Sequence, residues 1–256
     1  MWKMRDKYTL YLFLSKILIM TYGNISIKSI KELDYIMIDI IICEELKKVC
    51  PKITLGCIHA HVNVENSDEN LLNEINAYYE VLKKEIHIEE LSNFPSIRDG
   101  RELYKKLGKS PSKYRQSSEA LIRRVLQGKG VYKVNNVVDI NNLTSLKSKF
   151  PIGSYNIKNL TSPITLTIGK EGEKYKGIGK EMINIEGLPV LSDSLGNFGS
   201  PTSDCERAMI TKDTNEILMC IYSFSGNVNM NEYINYAKEL LERYAHVKNL
   251  ETKIID

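Results

Sequence analysis

The stretch from Tyr132 to Tyr222 constrains the fold most, because short apolar runs alternate there with Gly, Pro, Asn and Ser. Short apolar runs bounded by turn-forming residues are typical of β-strands. A strand-rich centre of this kind has to be covered by other elements before its apolar faces are buried. The predicted strands cover residues 132–140, 163–169, 173–179, 188–193, 207–211 and 216–224.

Helical patterns flank this centre on both sides. In residues 67–86, apolar side chains recur at helical spacing, and Ser67 is the expected N-cap. Ser117 or Ser118 is expected to cap a later helix, and Gly108 to end an earlier one. The mixture predicts an α+β fold. Further strands are expected at residues 33–46 and 53–64, and further helices at 96–111, 117–130 and 230–247.

The length of 256 residues fits one large domain. We expect residues 1–20 to be an N-terminal extension and residues 21–256 to be a single α+β domain. Residues 9–20 are apolar, but Lys16 interrupts them and the run is too short to span a bilayer. A signal peptide is the alternative; because no small-x-small cleavage site follows, we favour a tail or a packed extra element.

The cysteines argue against a secreted disulfide framework. Their number is odd and no CxxC pair occurs, so buried free thiols in a reducing cytoplasm are expected. We therefore predict a cytoplasmic protein that does not associate with membranes. The five are Cys43, Cys50, Cys57, Cys205 and Cys220.

Positive charge is concentrated in one segment. The whole chain has a net charge of +3, but residues 98–133 contain eleven Lys/Arg and three Asp/Glu, a local net charge of +8. Such asymmetry indicates an anionic partner such as RNA, although a solvated basic face is the common alternative. The candidate RNA-binding residues are Lys113, Arg115, Arg123, Arg124 and Lys129.

No metal or cofactor is predicted. Cys57, His59 and His61 alternate and would share one face of a strand, but no second ligand pair follows at a typical spacing. Residues 172–181 lack the order of a phosphate-binding loop and favour a β-hairpin. The GxSxG, HExxH and GxGxxG motifs are missing from the sequence, so a nucleophilic hydrolase has little support.

Two polar clusters remain as candidate binding residues. One is the asparagine-rich run at residues 135–142, and the other is the Gly/Ser/Pro-rich stretch at 192–211, with Asp193, Asp204 and Arg207. Polar loops held between strands often bind ligands. The alternative is that their side chains only satisfy local backbone groups in turns.

These segments resemble a known family. "YRQSSEALIRRVLQGKGVYKVNNVVDINNLTSLKSKFPIGSYNI", "EKYKGIG" and "GSPTSDCERAMIT" are similar to the editing module of the bacterial phenylalanyl-tRNA synthetase beta subunit, and more closely to its free-standing relatives. The resemblance covers about residues 96–224. It implies an α+β fold whose strand-rich, sandwich-like core is flanked by helices and holds a pocket between its layers.

The resemblance also implies pocket residues. In the synthetase, the module hydrolyses tRNA that carries tyrosine instead of phenylalanine. Asn142 matches the asparagine of the strand-end motif of the family, and Asn141 takes the place of a usual threonine. Asp204 falls near the glutamate that reads the tyrosine hydroxyl group. Gly153, followed by Ser154, replaces a histidine, so the catalytic residues stay unassigned.

Three functions remain open from the sequence. The leading hypothesis is a tRNA-binding, editing-like module that hydrolyses mischarged aminoacyl-tRNA in trans, as an aminoacyl-tRNA deacylase. The replacement of histidine by Gly153 favours, as an alternative, a non-catalytic module that binds RNA or a protein. A third hypothesis is a protein that binds a small amino acid without RNA. The chain carries no ATP-binding signature of a complete synthetase, and its oligomeric state is left open.

Overall fold

The computed structural model describes residues 38–256, so the predicted extension at residues 1–20 and the first part of the predicted strand at 33–46 lie outside it. The helices are α1 (Glu44–Val49), α2 (Glu69–Glu85), α3 (Pro95–Lys106), α4 (Ser117–Leu126), α5 (Asn136–Ser148) and α6 (Met230–Tyr244). The strands are β1 (Ile40–Ile42), β2 (Thr54–His61), β3 (Ile152–Asn156), β4 (Ile164–Ile168), β5 (Lys174–Lys176), β6 (Met182–Asn184), β7 (Pro189–Asp193), β8 (Gly196–Gly199), β9 (Glu216–Ser223) and β10 (Leu250–Ile255). Three short 3₁₀ helices cover Leu91–Asn93, Ile157–Asn159 and Glu206–Ala208.

Two four-stranded sheets form the centre of the described structure. Sheet 1 has the strand order β1-β4-β7-β8, and its β1–β4 pair is parallel. Sheet 2 has the order β10-β2-β9-β3 and is antiparallel throughout. Strands β5 and β6 form a separate antiparallel hairpin, as residues 172–181 predict. Because helices cover a strand-rich centre, the fold is α+β, which confirms the predicted class.

The two faces of sheet 2 have different neighbours. Side chains alternate between the faces of a strand, so Ile58 of β2 and Met219 of β9 belong to the core cluster shared with α5 and α6. On the opposite face, the ring of Tyr155 in β3 meets Phe198 of sheet 1 edge-on, with 5.1 Å between ring centroids. The sheets thus pack in a sandwich-like manner at this point, and the helices cover the outer face of sheet 2.

Most predicted elements are found, with corrections at the helix caps. The expected strands at 53–64 and 216–224 and helices at 67–86, 96–111, 117–130 and 230–247 correspond to β2, β9, α2, α3, α4 and α6. Asp68, and not Ser67, caps α2 by accepting a hydrogen bond from the Leu71 amide. Neither Ser117 nor Ser118 caps α4, whose N-cap position is Gln116. Gly108 follows α3 with a φ of +77°, as expected of a residue at that position.

The predicted strand at residues 132–140 is wrong, because helix α5 begins at Asn136. The Asn135 side chain caps this helix by accepting a 2.9 Å hydrogen bond from the Val138 amide. The side chain of Asn136 is buried and donates to the carbonyl groups of Asn63 (2.9 Å) and Tyr244 (2.8 Å). These buried polar contacts fix the start of α5 against the ends of β2 and α6, which overrides the strand preference of its β-branched residues.

Three other differences affect the candidate site. Residues 207–211, expected to form a strand, contain only part of the 3₁₀ helix Glu206–Ala208. Strand β3 covers residues for which the sequence patterns predict no strand. Of the predicted strand at 33–46, the described part holds the three-residue β1 and then α1.

None of the helices within residues 38–256 is both long enough and apolar enough to cross a membrane.

Candidate functional site

The predicted pocket residues lie at three separate places in the structure. Gly153 and Asp204 lie where the two sheets meet. Asn141 and Ser154 contact each other on the opposite, helix-covered face of sheet 2, where the Ser154 hydroxyl group donates a 2.9 Å hydrogen bond to the Asn141 side chain. Asn142 lines a cavity between α2 and α5. The five residues therefore do not converge on one pocket.

A tyrosine fills the space over Gly153. Tyr155 follows two residues later on the same face of β3, and its ring leans back over the glycine. A Cβ atom added at Gly153, or at Gly199 of β8, would collide with the phenol group of Tyr155. Both glycines are thus required for the ring to fit between the sheets. The phenol group of Tyr155 therefore occupies the space in which the family resemblance predicts a histidine side chain at position 153.

The carboxylate of Asp204 holds this phenol group. The Tyr155 hydroxyl group donates a 2.9 Å hydrogen bond to Asp204 Oδ1, which also accepts one from the Ser200 amide at 3.2 Å. Since the Tyr155 proton points to the carboxylate, the hydroxyl group of Tyr222, 2.8 Å away, donates to Tyr155. Burial raises the pKa values of both tyrosines well above their ordinary value, so both remain protonated at neutral pH.

Burial also shifts the titration of Asp204. Removal from water raises the pKa of its carboxyl group to about 7, although the hydrogen bonds from Tyr155 and Ser200 favour the charged form. The adjoining loop is held by Tyr175, whose hydroxyl group donates to the Ser203 carbonyl oxygen. The site therefore contains a carboxyl group that changes charge near neutral pH within a buried, tyrosine-lined interior.

This shift predicts a pH dependence of stability. The folded protein keeps a proton on Asp204 up to about pH 7, whereas the unfolded chain loses it near pH 4, so the group stabilises the folded state at low pH. The contribution should fall as pH rises between about 4 and 7, by roughly 4 kcal/mol at most. In urea unfolding, Asp204→Asn should flatten this decline. Asp213→Asn, at an exposed position, serves as the control and should leave it unchanged.

A cluster of charged side chains is built around a buried glutamate that the sequence analysis does not single out. Glu119 of α4 has a fully buried side chain. Arg101 donates to both of its oxygens, at 3.0 and 3.1 Å, and Arg123 donates to Oε1 at 2.9 Å. Arg115 forms an ion pair with the same oxygen at 3.3 Å. The i±4 spacing of Glu119 from Arg115 and Arg123 is the signal in the sequence.

The other predicted RNA-binding residues lie outside the cluster on Glu119. Lys113 and Lys129 are exposed. The guanidinium group of Arg124 lies 4.2 Å from the centroid of the Tyr132 ring, and its Nε atom donates to the Gly130 carbonyl group at 3.1 Å. Arg123 and Arg124 are both half-buried, and Arg123 binds Glu119.

The remaining candidates form structural contacts. Arg207 makes two hydrogen bonds to Asp193, at 2.9 and 3.1 Å, which tie the 3₁₀ helix Glu206–Ala208 to β7. His59 contacts Glu216 at 2.8 Å, and the sulfur atoms of Cys57 and Cys220 lie 4.0 Å apart across β2 and β9. Within residues 38–256, no three His, Cys, Asp or Glu side chains converge in an arrangement that could hold a metal ion.

Comparisons with known proteins identify the family. The profile of the B3/4 domain matches residues 99–251, more than half of the chain. The chain therefore belongs to the B3/4 domain family, that of the tRNA-binding and editing module of the phenylalanyl-tRNA synthetase beta subunit.

One solved structure and the curated proteins complete the comparison. The chain is similar to an N-terminal fragment of the phenylalanyl-tRNA synthetase beta subunit from Pyrococcus horikoshii, with 14% identity and a TM-score of 0.43. The match covers 86% of this chain and 51% of that one, so this chain spans about half the length of the fragment. No curated protein matches the chain.

Proposed function

We propose that this protein binds tRNA through the basic segment at residues 98–133. The observation that carries the proposal is the arginine cluster on Glu119, in which three guanidinium groups share one buried carboxylate. The cluster keeps two surplus positive charges. Counterion release makes such charges a major source of affinity for nucleic acids.

The geometry of the cluster suits a phosphate backbone. Arg101, Arg115 and Arg123 keep 27%, 36% and 27% of their side chains exposed, so each can reach a ligand while held by Glu119. Each guanidinium group has five N–H donors in a fixed plane, and Glu119 accepts only two hydrogen bonds from Arg101 and one from Arg123, so further donors remain on each group. Donors fixed in advance lose little freedom on binding, and arginine matches phosphate oxygens with paired hydrogen bonds.

The test is the salt dependence of tRNA binding, measured by fluorescence anisotropy. Replacing the exposed Lys113, Lys129 and Lys133 together with glutamine should weaken binding and reduce the slope of log K against log salt by about one for each lysine that contacts phosphate. The control replaces three exposed lysines outside the segment, Lys158, Lys170 and Lys174. Equal losses in both triple variants, or no salt-dependent binding by the unaltered protein, would refute the proposal.

Hydrolysis of mischarged aminoacyl-tRNA in trans is the second candidate function. It is favoured by Asp204, because a carboxyl group with a pKa of about 7 is suited to general base catalysis at neutral pH. Tyr155 covers this carboxylate, so hydrolysis requires the phenol group to move aside. Release of the amino acid from several mischarged tRNAs should be faster with the protein than in buffer, and Asp204→Asn should abolish the acceleration. Unchanged release would leave binding alone as the function.

A further inference from the structure

A cavity of about 190 Å³ lies between α2, α5 and the segment at residues 130–133. It is distinct from the Asp204 site between the sheets. Its apolar wall is formed by side chains of both helices, among them Ile75, Leu143 and Leu146. Ligand pockets for drug-sized molecules occupy about 300–1,000 Å³. The cavity therefore suits a flat group of one or two small rings and not a whole nucleotide.

Two amide side chains offer hydrogen bonds in this cavity. Asn142 of α5 and Asn76 of α2 both line it, and neither side chain is hydrogen-bonded within residues 38–256. An asparagine amide presents a donor beside an acceptor, which matches the paired donor and acceptor on the edge of a nucleobase. The polar edge of the cavity is thus available to a ligand and is not consumed by the fold.

An aromatic side chain stands at the rim. Tyr132 lines the cavity although 71% of the residue is exposed, and the guanidinium group of Arg124 covers its ring at 4.2 Å. An exposed aromatic ring beside cationic groups is the arrangement on which proteins stack the bases of single-stranded nucleic acids. Lys133, also at the rim, and the nearby Lys129 add positive charge for the attached phosphate groups.

We propose that this cavity receives an unpaired nucleobase of the bound RNA, stacked on Tyr132 and hydrogen-bonded by Asn142 and Asn76. The proposal rests on the proposed tRNA binding and assigns a base-recognition site to it. It places the lysine contacts to phosphate and the base contacts of Tyr132 and Asn142 within residues 113–142, and Asn76 of α2 completes the site from across the cavity.

A free amino acid is the competing ligand, and the structure favours it less. Its ammonium group would need the carboxylate of Asp139, the acidic side chain in the cavity wall. That carboxylate already accepts hydrogen bonds from the Ser67 hydroxyl group (2.6 Å) and the Val134 amide (3.1 Å). Burial also raises the pKa of Asp139 above its ordinary value of 3.8.

The experiment measures binding of the four nucleoside 5′-monophosphates by calorimetry, with ribose 5-phosphate as the ligand that lacks a base. At least one nucleotide should bind ten times more tightly than ribose 5-phosphate. Tyr132→Ala should weaken that binding about tenfold, because the base loses the ring on which it stacks. Asn142→Ala should weaken it as well, whereas Tyr132→Phe should retain it. Tyr114→Ala is the matched control, since Tyr114 carries Lys109 over its ring outside the cavity.

Two results would overturn the proposal: nucleotides that bind no better than ribose 5-phosphate, or a Tyr132→Ala variant that behaves like Tyr114→Ala. Leucine and phenylalanine are titrated in parallel, and binding of these in place of nucleotides would assign the cavity to an amino acid. The lysine variants test tRNA binding separately. Intact salt-dependent tRNA binding without nucleotide binding would therefore reject the cavity assignment alone.

Discussion

Glu119→Gln should lower the free energy of unfolding by about 3 kcal/mol, because removing one partner of a buried ion pair leaves the remaining charges uncompensated. Three guanidinium groups meet at this one carboxylate, so the substitution leaves three positive charges together without a counter-ion. Their partial exposure lets water relieve some of the repulsion, which keeps the loss at the lower end of the range for buried pairs. Urea unfolding with a linear extrapolation measures the loss.

Glu102→Gln is the control for this substitution. Glu102 also lies in the basic segment, but it pairs with Lys105 at 2.7 Å on an exposed surface. Such pairs contribute at most about 1 kcal/mol. Similar losses of unfolding free energy in the two variants would show that burial does not increase the contribution of Glu119 to stability. Because Glu119 positions the arginines, Glu119→Gln should also change tRNA affinity, and this should be measured only where the variant is folded.

Gly153→Ala should destabilise the protein by about 1–3 kcal/mol, as expected for overpacking a tight interior. The added methyl group would meet the phenol group of Tyr155, whose ring is also packed closely against Gly199 on its other side. Its hydroxyl group is also held by Asp204 and Tyr222. The variant should therefore unfold at a lower urea concentration without a change in slope.

A double-mutant cycle isolates the cause of this loss. Tyr155→Ala alone should cost about 3–5 kcal/mol, since it leaves a large cavity between the sheets. In the Tyr155→Ala background, Gly153→Ala should cost little, because the group it collides with is gone. The coupling energy should then be about as large as the loss in the single Gly153→Ala variant. A Gly153→Ala loss that is the same in both backgrounds would place its origin in the backbone of β3.

The sequence predicts the amphipathic elements well and the fully buried ones poorly. Helices α2 and α6 each expose one face, so their apolar residues recur with a clear period. Helix α5 is buried on most of its surface, and its Val and Ile residues are equally typical of a strand. Strand β3 pairs with β9, some sixty residues further along the chain, and no local pattern indicates this pairing.

The same distinction applies to the candidate site. The basic segment is visible in the composition, and its Lys/Arg residues stay predictions of RNA contact. The sequence could not indicate that Glu119 is buried among the arginines, because this depends on tertiary contacts such as the one between Arg101 of α3 and Glu119 of α4. Nor could it indicate that Tyr155 occupies the space over Gly153, since that contact depends on how the two sheets meet. Side chains brought together by tertiary packing leave no periodic signal.

The segment that matches the family is shorter than the segment that the fold requires, and the position of β2 in sheet 2 shows this. The family match begins at residue 99, yet β2 lies between β10 and β9, both of which pair with it along their length. A fragment that begins at residue 99 would lack β2 and would therefore expose the unpaired edges of β9 and β10. It would also lack the carbonyl group of Asn63, which accepts a hydrogen bond from the Asn136 side chain. Such a fragment should aggregate. Expression of the module for any assay therefore has to start well upstream of the segment by which its family is recognised.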